Sequence, residues 1–364
     1  MYRINVIKTL TFLFFAVTIS VSANNNPDEN NLVQGEPSGN DIKTEIREII
    51  KHHLQDSHDF TFYHSTKDGS SLSFPLPVIL WDNGIQIFMS SKFYHGEKVA
   101  ENNGNYYKIY HAKIYKTDVE GTINLNEHGH PENIKPLDLS ITKSVASMFL
   151  VAIIMFLLFR GLAKSYSKHG SIPKGVGRIF EPLILYIRDE IAIPNIGEKH
   201  YKKYINYLLT IFFFIWFLNL LGLTPLGVNV TGNIAVTFAL AILTYLITTL
   251  TANKNYWKHV FWMPGVPKLM RLVLAPIELF GTFIKPFSLM IRLYANMFAG
   301  HTVLMSIIGL MFIFKSWIGS PLSFGLAFVL SLLELLVAVL QAYIFTMLSA
   351  LYFGSATEEH NDSH

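Results

Sequence analysis

The chain has 364 residues, of which 51% are hydrophobic and only 15% charged, with a formal net charge of +3 and a mean hydropathy of +0.33. So small a positive excess gives no argument for a nucleic-acid partner. The absence of cysteine removes disulfides, thiol catalysis and thiolate metal sites.

Residues 1–23 read as a secretory signal. Arg3 and Lys8 form a positive start, Leu10 to Val21 a short apolar stretch, and Val21-Ser22-Ala23 a small-residue cleavage site. An apolar stretch of about 12 residues is short for a bilayer span, so cleavage near Ala23 is expected rather than a retained anchor. In either case the next segment lies outside the cytoplasm.

Residues 24–136 are predicted to form an extracytoplasmic module. Asn, Asp, Pro and Gly make 24–40 a linker. Ile42, Ile46, Ile49 and Ile50, with Asp41 as N-cap, predict a helix over 41–55. Runs such as Ile85-Gln86-Ile87-Phe88 and Tyr107-Lys108-Ile109-Tyr110 are separated by Asp82-Asn83-Gly84 and Asn102-Asn103-Gly104. They predict a small β-rich unit. Its histidines (His52, His53, His58, His64, His95, His111, His128 and His130) include one local pair, His128 and His130, but no spacing typical of a zinc site. Solvated side chains are the expectation.

Residues 137–364 are predicted to be an all-α membrane domain of five spans. These are Val145–Phe159, Leu208–Leu223, Ile234–Thr251, a span within Leu272–Phe314, and Leu322–Phe353. Basic amphipathic sequence over 161–203 predicts a cytoplasmic helix after the first span. Basic residues in 160–203 and 254–271 place those segments in the cytoplasm by the positive-inside rule, with the nearly uncharged connections 224–233 and 315–321 outside. The C-terminus is then cytoplasmic. The last two spans exceed the bilayer thickness and must tilt or bend; Pro276 and Pro286 can bend the fourth.

The fourth span carries Arg292, with no acidic residue closer in sequence than Glu278. An unpaired guanidinium at bilayer depth costs at least about 2.5–3.5 kcal/mol, so it is a candidate functional group. At 100° per residue Ser288, Arg292, Asn296 and Ala299 share one stripe, with Lys285 and Glu278 near it. His301 falls on the opposite side. The fifth span places Glu334 and Gln341 on one face. If the two helices are antiparallel, Gln341 reaches the Arg292 level and Glu334 reaches His301. Histidine titrates near neutrality, so that pair could pass protons. Interhelical hydrogen bonding alone would also account for Asn296 and Ser288.

These residues resemble subunit a of F-type ATP synthases. The resemblance lies in Lys285-Pro286-Phe287-Ser288-Leu289-Met290-Ile291-Arg292-Leu293-Tyr294-Ala295-Asn296-Met297-Phe298-Ala299-Gly300-His301, in Glu334 with Gln341-Ala342-Tyr343-Ile344-Phe345-Thr346, and in Asn219-Leu220-Leu221-Gly222-Leu223-Thr224-Pro225. Phe159-Arg160-Gly161-Leu162-Ala163-Lys164 is a weaker match. It covers about residues 137–353. The resemblance implies a non-catalytic, proton-translocating stator subunit without a cofactor, in the bacterial inner membrane. Its implied partners are the c-subunit ring, the b subunits of the peripheral stalk and the rest of the complex. It further implies that Arg292 faces the ring carboxylate, that Asn296 and Gln341 flank it, that His301 and Glu334 serve one half-channel, and that Ser288, Lys285 and Glu278 serve the other. Some relatives have an acid where Gly222 stands, and the resemblance says nothing of residues 24–136. Two other readings remain open from the residues alone. One is a transporter with its own substrate site, which usually carries internal repeats. The other is a metal-binding receptor on a membrane anchor.

Overall fold

The computed structural model describes residues 56–358 except 65–70, 97, 128, 170–174, 176, 225–227, 263–266 and 314–318. The expected signal segment, the linker and the helix over 41–55 lie outside the described residues, as does His128.

The N-terminal module is built from short antiparallel strands. β1 (Asp59–His64) pairs with β2 (Ser71–Pro75). β3 (Pro77–Trp81) lies between β4 (Ile85–Met89) and β8 (Leu137–Asp138). β5 (Ala100–Asn102), β6 (Asn105–Tyr110) and β7 (Lys113–Thr117) form a further sheet. The two-residue turn between β5 and β6 needs positive φ at both positions, and Asn103 (φ 51°) and Gly104 (φ 78°) supply it.

Period-2 alternation decides what the module buries. Val78 and Leu80 of β3 and Phe88 of β4 point inward, against Tyr107, Ile114, Ala100 and Phe93. Phe88 stacks on Tyr107 with ring centroids 5.9 Å apart. Each such side chain contributes about 1.5–3 kcal/mol through burial. The opposite face of the same sheet leaves Ile85, Ile87, Met89 and Trp81 exposed.

The membrane domain is helical: α1 (Lys143–His169), α2 (Gly177–Tyr186), α3 (Ile193–Ile196), α4 (Tyr201–Gly222), α5 (Ile234–Thr251), α6 (Lys254–Phe261), α7 (Lys268–Ile313) and α8 (Gly319–Thr357). Five of these, α1, α4, α5, α7 and α8, are long and apolar enough to cross a membrane. At 1.5 Å per residue the 46 residues of α7 extend about 69 Å and the 39 of α8 about 58 Å. A hydrocarbon layer of about 30 Å accommodates them only steeply tilted.

One expectation about a helix end is corrected. The first span does not stop at Phe159, because α1 continues through Arg160 and Lys164 to His169. Arg and Lys end an apolar stretch but are good helix formers, so hydropathy marks the membrane edge and not the helix end. Within the amphipathic stretch 161–203 a helical run is continuous over 177–196. The stretch holds the tail of α1, then α2, a π-helical turn at Ile187–Ala192 and α3, with Gly197 following at φ 87° before α4 begins at Tyr201. Pro276 and Pro286 lie inside α7, which runs unbroken through both.

The membrane core gathers where α4, α5 and α8 meet. Phe212, Phe213 and Phe214 of α4 are buried with Phe345 and Phe353 of α8. Tyr204 stacks on Phe353 at 4.6 Å. Asn233 caps α5, its side-chain oxygen accepting the Ala235 amide at 3.0 Å. This frame sets α7 and α8 side by side.

Candidate functional site

α7 and α8 are antiparallel, and their polar side chains meet as rungs. His301 Nδ1 lies 3.2 Å from Glu334 Oε1, with both side chains 6% exposed. Asn296 Nδ2 donates to Gln341 Oε1 at 2.9 Å. The Lys285 ammonium sits 5.6 Å from the centre of the Tyr352 ring. As residue numbers rise along α7 they fall along α8, so the three rungs span 16 residues of α7, or about 24 Å. That is most of the thickness of a bilayer core.

The His301–Glu334 rung is walled by glycine. A Cβ on Gly300 would come 3.2 Å from Glu334 Oε1, and one on Gly222 of α4 would come 2.9 Å from His301 Nε2. Larger residues at either position would displace the pair. The Oε2 atom of Glu334 is buried and has no hydrogen-bond partner among the described residues.

Arg292 is half-buried on α7 between the rungs. Among the described residues its guanidinium makes no hydrogen bond or ion pair, although its charge reaches Tyr352. Ser288, Ala295, Asn296 and Ala299 are exposed on the same helix. The stripe is therefore polar and small beside Arg292, flanked by exposed Ile284, Phe287 and Ile291. Such a face admits close approach of another helix.

At the Lys285 rung a small crevice opens between α5, α6, α7 and α8. It is lined by Thr244, Thr248, Tyr256, Thr282, Lys285 and Tyr352, among others. Hydroxyl groups and one ammonium here give polar lining to a region that is otherwise apolar. Burial, with Tyr245 and Glu278 nearby, pushes the Tyr256 phenol up.

Thus His301 meets Glu334, and Asn296 meets Gln341 rather than leaving that amide to Arg292. Lys285 lines the crevice, Glu278 sits within electrostatic reach of Tyr256, and Ser288 remains on the exposed stripe. Four participants lie outside the expected proton-path residues, although Asn219 and Gly222 fall within the stretch that carries the resemblance. Asn219 is fully buried, donating to the Ala338 carbonyl at 3.3 Å and accepting the Thr231 hydroxyl at 2.8 Å. Asn219 ties α4 to α8 midway between Glu334 and Gln341. Tyr352, Thr231 and Gly222 owe their places to helix packing. For Asn219 a signal existed: an amide inside the apolar run of α4.

No group of three or more metal-ligating side chains occurs among the described residues. Of the module's histidines, His58 is buried while His111 and His130 are exposed.

Comparison with known proteins gives two family matches. Residues 145–354 match the model of the ATP synthase A chain. Residues 49–139 match a domain of unknown function (DUF8433). Among curated relatives, the chain is 44% identical to ATP synthase subunit a of Chloroherpeton thalassium over 232 residues, covering 62% of this chain and 69% of the relative. It is 43% identical to ATP synthase subunit a of Myxococcus xanthus over 237 residues, covering 63% and 77%. The counterpart from Pelodictyon phaeoclathratiforme is 43% identical over 246 residues, covering 64% and 72%.

Proposed function

Because the chain belongs to the ATP synthase A chain family, we propose that it is the proton-conducting stator subunit of a rotary F-type ATP synthase. In this reading it is not itself an ATP-hydrolysing or ATP-forming enzyme. It works against a ring of c subunits, is braced by the b subunits of the stalk, and sits in the bacterial inner membrane with residues 24–136 outside and the C-terminus in the cytoplasm.

The observation that carries the reading is the ladder. A permanently charged guanidinium stands between two polar levels and pairs with no carboxylate among the described residues. A single continuous pore would dissipate the proton gradient. Two offset half-channels do not, provided that each opens to one side only. The His301–Glu334 rung, 3.2 Å apart and buried, serves the outer half-channel. The crevice at Lys285, with Glu278 and Ser288, serves the inner one.

Between them a carboxylate on the passing ring takes a proton from one level and loses it at the other. Lipid admits only the neutral form, because an ionised carboxylate there is heavily penalised. Arg292 favours the ionised form where the ring passes it, which drives release. Its fixed charge also blocks direct proton flow. Arginine suits both tasks because it stays charged at any working pH. The Asn296–Gln341 hydrogen bond holds α7 to α8 beside it. Each proton crossing 100 mV supplies about 2.3 kcal/mol, so several are needed for each ATP formed.

Arg292→Ala tests this. In membrane vesicles the complex is expected to assemble while ATP-driven proton pumping is lost completely. Pumping at the wild-type rate would sink the reading.

A further inference from the structure

Five ionisable side chains outside the ladder meet where the module joins the first membrane helix. His58 is buried, with Nε2 2.9 Å from Asp138 Oδ2. Asp138 Oδ1 accepts the Ser140 amide at 2.9 Å. Asp56 accepts the Thr142 hydroxyl at 2.9 Å and the Ser144 amide at 3.0 Å. It therefore caps α1, where a carboxylate is favoured. Lys143, the first residue of α1, is buried beside it and donates its amide to the Ser57 carbonyl at 2.8 Å. Asp59 accepts the Ser90 hydroxyl, and Ser90 Oγ accepts the Leu76 amide at 2.9 Å.

These bonds stitch 56–59 to 138–144, the segments flanking the module. Beneath them Phe60 and Ile141 pack against the membrane core. The module is thus held to the membrane domain by a joint whose centre is an ion pair shielded from water. Among the described residues the charges acting on His58 are Asp138 of β8, Asp59 of β1 and Asp56 of the preceding segment, with Lys143 of α1 facing Asp56.

We infer that this joint is a proton-operated latch: protonated His58 clamps the module to the first membrane helix, and loss of that proton loosens it. The inference goes beyond proton conduction, and rests on that reading only for which compartment is sensed, namely the outside.

The direction follows from linkage. Burial alone would lower the His58 pKa, but the hydrogen bond and charge of Asp138, with Asp56 and Asp59, outweigh it and raise it. The closed joint therefore binds the proton more tightly than an open one. Its stabilisation is full below the open-state value of about 6.5 and is lost as pH rises through the closed-state value. Asp56 acts in the same sense, since burial raises its pKa despite the bonds from Ser144 and Thr142. Asp138 acts in the opposite sense. Burial raises it, but His58 and Ser140 outweigh burial and hold it below the ordinary 3.8, so its contribution fails only in strong acid. The latch is closed in mildly acid surroundings and opens toward alkaline ones.

Hydrogen exchange on the intact complex in lipid nanodiscs tests this, from about pH 5.5 to about pH 9, bracketing the histidine range. After correction for intrinsic exchange, protection at the Leu139, Lys143 and Ser144 amides is expected to fall above about pH 6.5, by up to about tenfold per pH unit for one linked proton. The amides of β6 and β7 should keep theirs. His58→Gln should flatten the profile at the joint. A flat wild-type profile overturns the latch, and so does an unchanged step in His58→Gln. If the variant does not assemble, the wild-type profile decides alone. ATP-driven pumping, measured on the same sample, reports on the conduction reading separately. A step at the joint in a complex that does not pump still upholds the latch, and a flat profile in one that pumps refutes the latch alone.

Discussion

In the module, Asp82 takes the Lys116 ammonium at 2.7 Å and the Tyr107 hydroxyl at 3.0 Å, with solvent still reaching Lys116. In the ladder, Glu334 is buried against His301, and neither of its oxygens has a hydrogen-bond partner among the described residues. Both are acid–base contacts of ordinary length, yet they differ in consequence. Near water a charge pair contributes about 0–1 kcal/mol, because solvent competes for both partners. Away from water, removing one partner of a pair costs about 3–5 kcal/mol, because the other charge is left stranded. Polar side chains can therefore be many and individually minor in the module. In the membrane domain they are few, and each has a definite partner or position.

Substitutions can break this contrast. The largest effect is expected at Glu334→Gln, which keeps shape and removes the ionisable group. Proton conduction through the vesicle-embedded complex should fall on the order of 10²-fold, the scale of losing a positioned acid–base group. Conduction within a few-fold of wild type would put the His301–Glu334 rung outside the proton path.

Leu80→Ala comes next. Leu80 is fully buried in the module core, so the loss should be about 2–5 kcal/mol. Limited proteolysis should then cut within the strands of the module, while ATP-driven pumping stays at the wild-type rate. Loss of pumping in a fully assembled complex would mean that the module is not an independent unit.

The smallest effect is expected at Tyr107→Phe, which removes the hydroxyl donated to Asp82 and should cost about 1 kcal/mol. The Lys116 contact, with the Tyr107 hydrogen bond, holds the Asp82 carboxyl below its ordinary 3.8, although partial burial opposes this. Its stabilisation is therefore present above that value and is lost as pH falls through the depressed one. Hydrogen exchange of β6 should show the variant losing less than wild type on acidification. Equal acid sensitivity would leave Tyr107 with no share in holding Asp82 ionised.

The amphipathic and apolar patterns were legible in detail. All five long apolar stretches are helices in the structure, and the runs at 85–88 and 107–110 are strands. β1, β5 and β8 were not foreseen. β5 has three residues and β8 two, and runs so short carry no period, existing only because β6 and β3 offer them hydrogen bonds. The exit of α1 is not legible, because hydropathy ends at Phe159 while helical propensity does not. In the candidate site the helical phase separated Arg292 from His301, since 100° per residue is a property of the backbone. It could not reveal Asn219, whose partners Ala338 and Thr231 lie 119 and 12 residues away.

The sequence by itself determined which side chains are costly: an arginine, a glutamate, a histidine and two amides in apolar surroundings, spaced to share helix faces. Composition sets that cost, because hydrocarbon cannot solvate a charge wherever the helix goes. Only the tertiary structure decided who meets whom. Gln341 takes Asn296, Glu334 takes His301 through the gap left by Gly222 and Gly300, and Lys285 takes the Tyr352 ring. Those choices depend on the relative register of α7 and α8. That register is fixed by how α8 packs on α4 and how α7 packs on α5, and no local pattern in either helix encodes it.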